Sequence, residues 1–302
     1  MAKTRRHSPW RLWAANAFIG LFSRFSLPVN HRIGRLIGLI AWYTRSKHRR
    51  VAEANIARCF PEKSQAQRQQ LARQSLIESG KSLTELGPIW NWPQDKIEQI
   101  ILDMPGFDAV EQTLDQGRGV ILLGPHLGAW ELGGLAISMR VPTTIMYRPP
   151  RDPQFEQLLV EKRSRLGASL APANLKGVRQ AITALKNTEL LAVLPDQSPR
   201  AGEGEMAPFF GHPALTLTLI RSLVRKTNAA VFVGYAERMP DSSGFIIRFR
   251  PASQPVGDAD VITALTALNQ EVEQSVRACP EQYQWTYPRF RRQKKSQRER
   301  LG

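Results

Sequence analysis

Cysteine is nearly absent from this 302-residue chain: only Cys59 and Cys279 occur, far apart and without metal-ligand spacing. A disulfide framework and a cysteine-based zinc site are therefore not expected, and a reducing compartment suits the chain. Long apolar runs are also missing. Leu12 to Ser23 stops at Arg24, and Leu36 to Thr44 lies between Arg35 and Arg45. Neither reaches the roughly 20 residues that a membrane-spanning helix needs, and no cleavable-signal pattern is present. No serine or cysteine stands in a G-x-S-x-G turn, which argues against a covalent intermediate on a nucleophile elbow. Acidic residues are scarce at both ends. Residues 1–60 hold twelve Lys/Arg against Glu53 alone, and 289–302 hold seven against Glu299. The net charge of +16 is thus +11 and +6 at the ends, with −1 left for residues 61–288. Partners should be anionic, but the chain has no reading helix, RNP-like aromatic motif or zinc site, so nucleic acid is not expected.

What is present centres on residues 120–134. Val120 to Leu123 is a short apolar run bounded by glycines, as in a strand covered on both faces. Gly124-Pro125-His126 follows as a turn, and Glu131 begins a helix. Five residues on a single helix would separate His126 and Glu131 by about 140°. They meet only if the histidine lies in the turn. In that arrangement the carboxylate accepts a hydrogen bond from one ring nitrogen and leaves the other as a base.

Elsewhere the pattern predicts alternating strands and helices. The first 50 residues mix Trp10, Trp13, Phe18, Phe22 and Phe25 with Lys3, Arg5, Arg6, Arg11 and Arg24. This suits a helix in the lipid headgroup boundary, interrupted at Pro28 and followed by a second helix over Ile33–Tyr43. Ser64 and Gln67 form a capping box that opens a helix reaching about Glu85. Helices are expected over 94–102, 107–116, 132–139, 153–166, 178–185, 216–226 and 261–278. Strands are expected over 120–124, 143–147, 190–194, 230–235 and 245–249. Residues 195–214 read as one long functional loop. The expected class is α/β: a central, mostly parallel sheet flanked by helices, with a basic N-terminal membrane-associating segment (1–50), a catalytic body (51–290) and a disordered basic tail (291–302).

Strand ends collect His126 and Glu131, Arg148 and Arg151, and Asp196 and Gln197. A histidine base backed by a carboxylate and flanked by arginines suits attack of a hydroxyl on an activated acyl group, with the arginines gripping phosphate or acyl-donor oxygens. Each residue also has a structural reading. His126 can be a satisfied turn histidine, Glu131 a helix-dipole carboxylate, Arg148 an exposed turn residue and Asp196 a turn cap. His212 reads as a turn residue, and His7, His31 and His48 as solvent-facing.

His126-Leu-Gly-Ala-Trp-Glu131 resembles the H-x(4)-D/E motif of the lysophospholipid acyltransferase superfamily. The whole chain resembles the bacterial late (secondary) acyltransferases of lipid A biosynthesis, of the lauroyl/myristoyl type. The supporting blocks are Arg58-Cys-Phe-Pro61, Tyr147-Arg-Pro-Pro150, Asp196-Gln197, Gly202-Glu203, the run from Ala207 to Ala214, and Gln284 to Phe290. The resemblance implies a glycerol-3-phosphate-acyltransferase-like fold. It also implies acyl transfer from acyl carrier protein, a co-substrate in place of any cofactor or metal, to a 3-hydroxyacyl chain of a Kdo-bearing lipid A precursor. The reaction would take place at the cytoplasmic face of the inner membrane, against an anionic surface. By the family pattern His126 is the general base and Glu131 orients it, while Arg148, Arg151, Asp196, Gln197, Arg200, Gly202 and Glu203 bind substrate. Two features depart from the family: Arg24 interrupts the N-terminal apolar segment, and Trp285-Thr-Tyr-Pro stands where a more basic sequence is common. A superfamily acyltransferase acting on another glycolipid, an ornithine lipid or a lysophospholipid remains an alternative. So do a basic nucleic-acid-binding protein and a non-catalytic membrane-peripheral scaffold.

Overall fold

The computed structural model describes residues 9–200 and 202–290; the basic tail lies outside them. Four helices come first: α1 (Pro9–Phe22), α2 (Leu27–Tyr43), α3 (Lys47–Cys59) and α4 (Gln65–Asn91). Pro28 starts α2 rather than interrupting a helix, because proline's fixed φ suits the first helical turn. The Ser64–Gln67 capping box is formed, and α4 continues past Pro88 to Asn91. Among the described residues, no helix is long and apolar enough to cross a membrane.

The body then runs α5 (Gln94–Gln99), β1 (Ile101–Asp103), α6 (Phe107–Asp115), β2 (Val120–Leu123), α7 (Trp130–Ser138), β3 (Thr143–Tyr147), α8 (Pro153–Ser164), β4 (Ser169–Pro172), α9 (Leu175–Lys186) and β5 (Leu190–Val193). It continues with β6 (Gly204–Phe209), β7 (His212–Leu217), α10 (Leu219–Thr227), β8 (Ala230–Arg238), β9 (Phe245–Pro251) and α11 (Val261–Ala278). Seven strands form one sheet in the order β1-β9-β8-β2-β5-β3-β4, parallel except where β8 meets β9. β2, β3 and β5 are buried along their whole length, as expected of apolar strands covered by helices on both faces. One apolar layer packs α6 and α7 on the sheet, and the other packs α9, α10 and α11 on the opposite face.

The structure corrects three element assignments in the body. The predicted helix over 94–102 ends at Gln99, and β1 follows at the sheet edge. Residues 169–172 form a strand that the sequence pattern hid. The expected 195–214 loop gives way from Gly204 to the antiparallel hairpin β6–β7, which stands apart from the main sheet and runs to Leu217, so the helix expected from 216 begins at Leu219. The hairpin's two-residue turn has positive φ at both Phe210 (48°) and Gly211 (71°). A phenylalanine is an unusual occupant of that position, where Asn or Gly is favoured. Burial of its ring against Phe60 and Trp285 compensates.

α2 crosses α4 at glycines. A Cβ on Gly80 would lie 2.1 Å from the Gly34 carbonyl oxygen, so the backbones touch there. The close crossing turns His31 inward, against the solvent-facing expectation. Its Nε2 lies 2.5 Å from Glu85 Oε1 and its Nδ1 2.8 Å from Ser242 Oγ. Arg238, at the end of β8, donates from Nε and NH2 to both Glu85 oxygens (2.5 and 2.7 Å) and from NH1 to Glu78 Oε2 (2.7 Å). The network pins α4 to the sheet. Burial pushes the Glu85 carboxyl up, but the Arg238 charge and hydrogen bonds, with His31, outweigh it and hold the carboxyl at about 2.

Removing one partner of such a buried pair costs roughly 3–5 kcal/mol. Glu85→Gln should therefore lose about that much stability at neutral pH in urea titrations. The folded pKa lies below the ordinary 4.5, so the contribution is complete above 4.5 and is lost as pH falls through about 2. The gap between wild type and Glu85→Gln should close over that window; a gap constant down to pH 2.5 would contradict the assignment.

Candidate functional site

The site is set by strand register. β2 and β5 are parallel neighbours with Leu123 opposite Val193. Each strand leaves the sheet through a proline: Gly124-Pro125-His126 after β2, and Leu194-Pro195-Asp196 after β5. His126 and Asp196 therefore sit at equal offsets beyond paired residues. They meet: His126 Nδ1 is 2.8 Å from Asp196 Oδ1, and the His126 backbone N–H donates to Oδ2 at 3.1 Å. This fixes both ring plane and backbone.

The turn is held from two other sides. Gly128 has φ +62°, and a Cβ there would lie 1.9 Å from the Ala236 carbonyl of β8, so only glycine lets the loop press on the sheet. From the C-terminal segment, Gln284 N–H donates to the His126 carbonyl at 3.0 Å, and Leu127 bridges to Tyr283. Burial and the adjacent Asp196 carboxylate push the Tyr283 hydroxyl well up, keeping it a neutral donor. Gln197 places Nε2 3.2 Å from His126 Nε2 and also donates to Gln284 Oε1 at 3.0 Å.

Glu131 is not the histidine's hydrogen-bond partner, contrary to the sequence expectation. It sits on the first turn of α7 and accepts a fork from Arg163 of α8, Nε to Oε2 at 3.0 Å and NH2 to Oε1 at 2.5 Å. Trp90 Nε1 adds a third hydrogen bond at 3.3 Å. The physical reason is position: the ring Nδ1 faces the neighbouring strand end, where Asp196 already lies, and α7 carries Glu131 toward α4 and α8. Both carboxyls are buried, which raises them, and in both the partners win. Arg163 lowers Glu131 by charge and hydrogen bonding, and His126 lowers Asp196 in the same ways. Both act as carboxylates at neutral pH.

Two cavities meet at this place. One is an apolar slot between α7 and the sheet, walled by Leu122, Gly134, Ile145, Ala192, Ile247 and Phe249. The other lies between α2, α4, α8 and the C-terminal segment. Trp130, Glu131 and Arg163 line both. His126 is in neither wall; it stands beside their junction, its ring 5.3 Å from that of Trp130.

The other sequence candidates are dispersed. Arg148 and Arg151 lie exposed after β3, and Arg151 borders a groove against α1. Arg200, Gly202 (φ +86°) and Glu203 form a tight exposed turn, closed by Arg200 N–H to Glu203 Oε2 at 3.1 Å. No hydrogen bond joins these residues to His126 among the described residues. His212, expected in a turn, is instead the first residue of β7, just after the turn, and its Nε2 faces the Arg58 carbonyl at 3.1 Å. No group of side chains able to hold a metal ion occurs among the described residues. The sequence did not single out Arg163, Trp90 or Tyr283. Gln284 opens a block that the sequence marked, but Arg163 carries no local signal.

A sequence model for the bacterial lipid A biosynthesis acyltransferases matches residues 2–292. The chain is 28% identical over 285 residues to the lipid A biosynthesis lauroyltransferase of Escherichia coli (strain K12), covering 93% of this chain and 92% of that one. It is also 28% identical over 283 residues to the palmitoleoyltransferase of lipid A biosynthesis from the same organism, covering 93% and 91%. The corresponding myristoyltransferase is 27% identical over 289 residues, covering 94% and 88%.

The geometry makes a prediction independent of any activity. With Nδ1–H donated to the Asp196 carboxylate, the neutral ring carries its lone pair on Nε2. Asp196→Asn puts an amide in reach of Nδ1 and should shift His126 toward the Nε2–H form. Nitrogen NMR of histidine-labelled protein reads the tautomer directly. A His126 signal unmoved by the substitution would refute the pairing.

Proposed function

This chain belongs to the bacterial lipid A biosynthesis acyltransferase family, and on that premise we propose that it moves a fatty acyl chain, of lauroyl type, from acyl carrier protein to a hydroxyl of a 3-hydroxyacyl chain on a Kdo-bearing lipid A precursor. The observation that carries the reading is the His126–Asp196 pair standing beside the junction of two cavities, one of them an apolar slot. Transfer of a hydrocarbon chain between two carriers needs space for both chains and one base between them.

In this mechanism the acceptor hydroxyl takes the place of the Gln197 amide on His126 Nε2. The imidazole removes the hydroxyl proton as the oxygen attacks the thioester carbonyl carbon. Asp196 stabilises the imidazolium through Nδ1–H, the part the sequence assigned to Glu131. The tetrahedral intermediate collapses with breakage of the C–S bond, and the leaving thiolate recovers the proton from His126. The products are the ester and the free thiol of the carrier. Glu131 serves by fixing the Arg163 guanidinium at the cavity junction, where a cation stabilises negative charge developing on the carbonyl oxygen. The slot beneath α7 receives the donor acyl chain.

Membrane attachment fits the same scheme. Six of the eleven large apolar residues exposed among the described residues lie on α1 and α2: Trp10, Trp13, Leu21, Leu36, Ile40 and Tyr43. Exposed Arg11, Arg24, Arg32, Arg35 and Arg45 accompany them. That combination suits helices lying in an anionic interface, at the cytoplasmic face of the inner membrane. The basic ends also attract an acidic carrier protein.

His126→Ala and Asp196→Asn should each lower acyl transfer by about 10²–10⁴-fold while circular dichroism stays unchanged. Glu131→Ala should also lose transfer, through release of Arg163. The assay follows labelled acyl chain from acyl carrier protein to the Kdo-bearing precursor. Wild-type turnover by His126→Ala would sink the mechanism. Mass spectrometry of lipid A from cells lacking the protein should show one missing secondary acyl chain, and an unchanged acyl count would sink the substrate class.

A further inference from the structure

A third cavity runs between α1, α4, the loop after β3 and the start of α8. Phe18, Leu86, Phe155 and Leu159 make its floor apolar, and the side chains of Arg11 and Arg151 border it. Both arginines are exposed, and neither pairs with a carboxylate among the described residues. Arg11 lies over the Trp10 ring at 5.7 Å, an exposed cation beside the groove. The acidic residue in the wall, Asp152, caps α8 by accepting from the Gln154 N–H at 3.1 Å. An apolar floor with two exposed guanidiniums beside it matches an amphiphile carrying a phosphate.

The groove is not an isolated dimple. Leu83, Leu86, Trp90 and Leu159 wall both it and the cavity that reaches the Trp130–Glu131–Arg163 junction. Trp90 itself donates to Glu131, so one side chain borders the groove and touches the site. A bulk phospholipid lodged here would obstruct the path to the catalytic histidine. An occupant belonging to the reaction would not.

We propose that this groove binds the acceptor lipid, with a phosphate held between Arg11 and Arg151 and existing acyl chains laid on the floor toward the junction. The assignment rests on the functional reading above and extends it. α1, which the sequence marks as an anchor, becomes one wall of the substrate site. Arg151, which leaves β3 without contacting His126, then acts on the far end of the same ligand.

The test separates substrate binding from membrane docking and from catalysis. Equilibrium binding of the Kdo-bearing precursor in neutral detergent micelles is compared with binding of its phosphatase-treated form. Arg11→Ala/Arg151→Ala should weaken binding of the phosphorylated lipid about tenfold. It should not alter binding of the dephosphorylated lipid, which wild type should already bind about as weakly. Ala15→Trp, which adds bulk from the α1 wall, should weaken both lipids without unfolding the body. Sedimentation with phosphatidylglycerol vesicles should hardly change for Ala15→Trp and should fall much less than precursor affinity for the double variant, because Arg24, Arg32, Arg35 and Arg45 remain. Unchanged precursor affinity in both variants would overturn the proposal. Equal losses on vesicles and precursor would instead show a general headgroup-docking face and overturn it too. Wild-type turnover, measured alongside, tests the functional reading on its own: binding as described without turnover would leave the groove assigned and the acyltransferase reading refuted.

Discussion

The in-register pairing of β2 with β5 is the constraint on which the site depends. Parallel neighbours present residues of equal offset at the same height, so two unremarkable tripeptides, Gly-Pro-His and Leu-Pro-Asp, become a hydrogen-bonded histidine–carboxylate pair. A slip of one residue would move Asp196 to the other side of its turn and break both hydrogen bonds to His126. The remaining supports preserve this register at the point where the strands end. Gly128 lets the loop rest on β8, and the C-terminal segment clamps it from outside. The terminal Gln284–Phe290 block, distant in sequence, is therefore part of the site's frame. Asn55 of α3 holds the same segment by donating to the Trp285 and Tyr287 carbonyls, each at 2.8 Å.

Two buried carboxylates five and seventy residues from the same histidine end with different work. Asp196 reaches the ring because it comes off an adjacent strand, whereas Glu131 reaches a guanidinium because α7 turns it toward α8. Burial disfavours both anions, and each is restored by a partner matched to it, one imidazole with a backbone N–H and one planar fork. The separation keeps the electrostatics clean. A single carboxylate serving both histidine and arginine would be split between them, and the lone pair on Nε2 would be less firmly directed. The H-x(4)-E spacing thus encodes proximity, not a direct bond.

The sheet was legible because its central strands are short apolar runs between glycines and prolines. β2, β3 and β5 could be read directly, and so could the α7 and α11 helices and the Ser64–Gln67 cap. What escaped was what local pattern does not carry. β1 and β4 are edge strands of three and four residues with mixed exposure, so neither periodicity nor burial marks them. The β6–β7 hairpin hides behind Pro208 and Pro213, which a strand away from the main sheet tolerates, and behind a Phe-Gly turn in place of Asn-Gly. At the site, His126, Asp196 and Gln197 were visible as strand-end polar residues. Their pairing was not, because the identity of neighbouring strands is a tertiary fact. Arg163 sits in the last turn of α8, where a basic residue is ordinary, and only the fold brings it to Glu131.

The same logic bears on the uneven charge. A body near neutrality between two basic ends looks like a catalytic unit with separate adhesive termini. The structure joins the N-terminal helices to the body: α2 lies against α4 at backbone contact, and a buried Glu78–Glu85–Arg238 network ties α4 to the end of β8. α4 then delivers Trp90 to Glu131. The helices with the most exposed aromatic surface are thus packed, through one intervening helix, on the elements that hold the site. Buried ion pairs of this kind add little net stability over apolar packing, yet they tolerate few alternative geometries. On the proposed function, that rigidity would set how the cavity junction meets a lipid surface. The N-terminal helices and the candidate site are one packed unit, so under the proposed function the position of α1 bears on chemistry as well as on attachment.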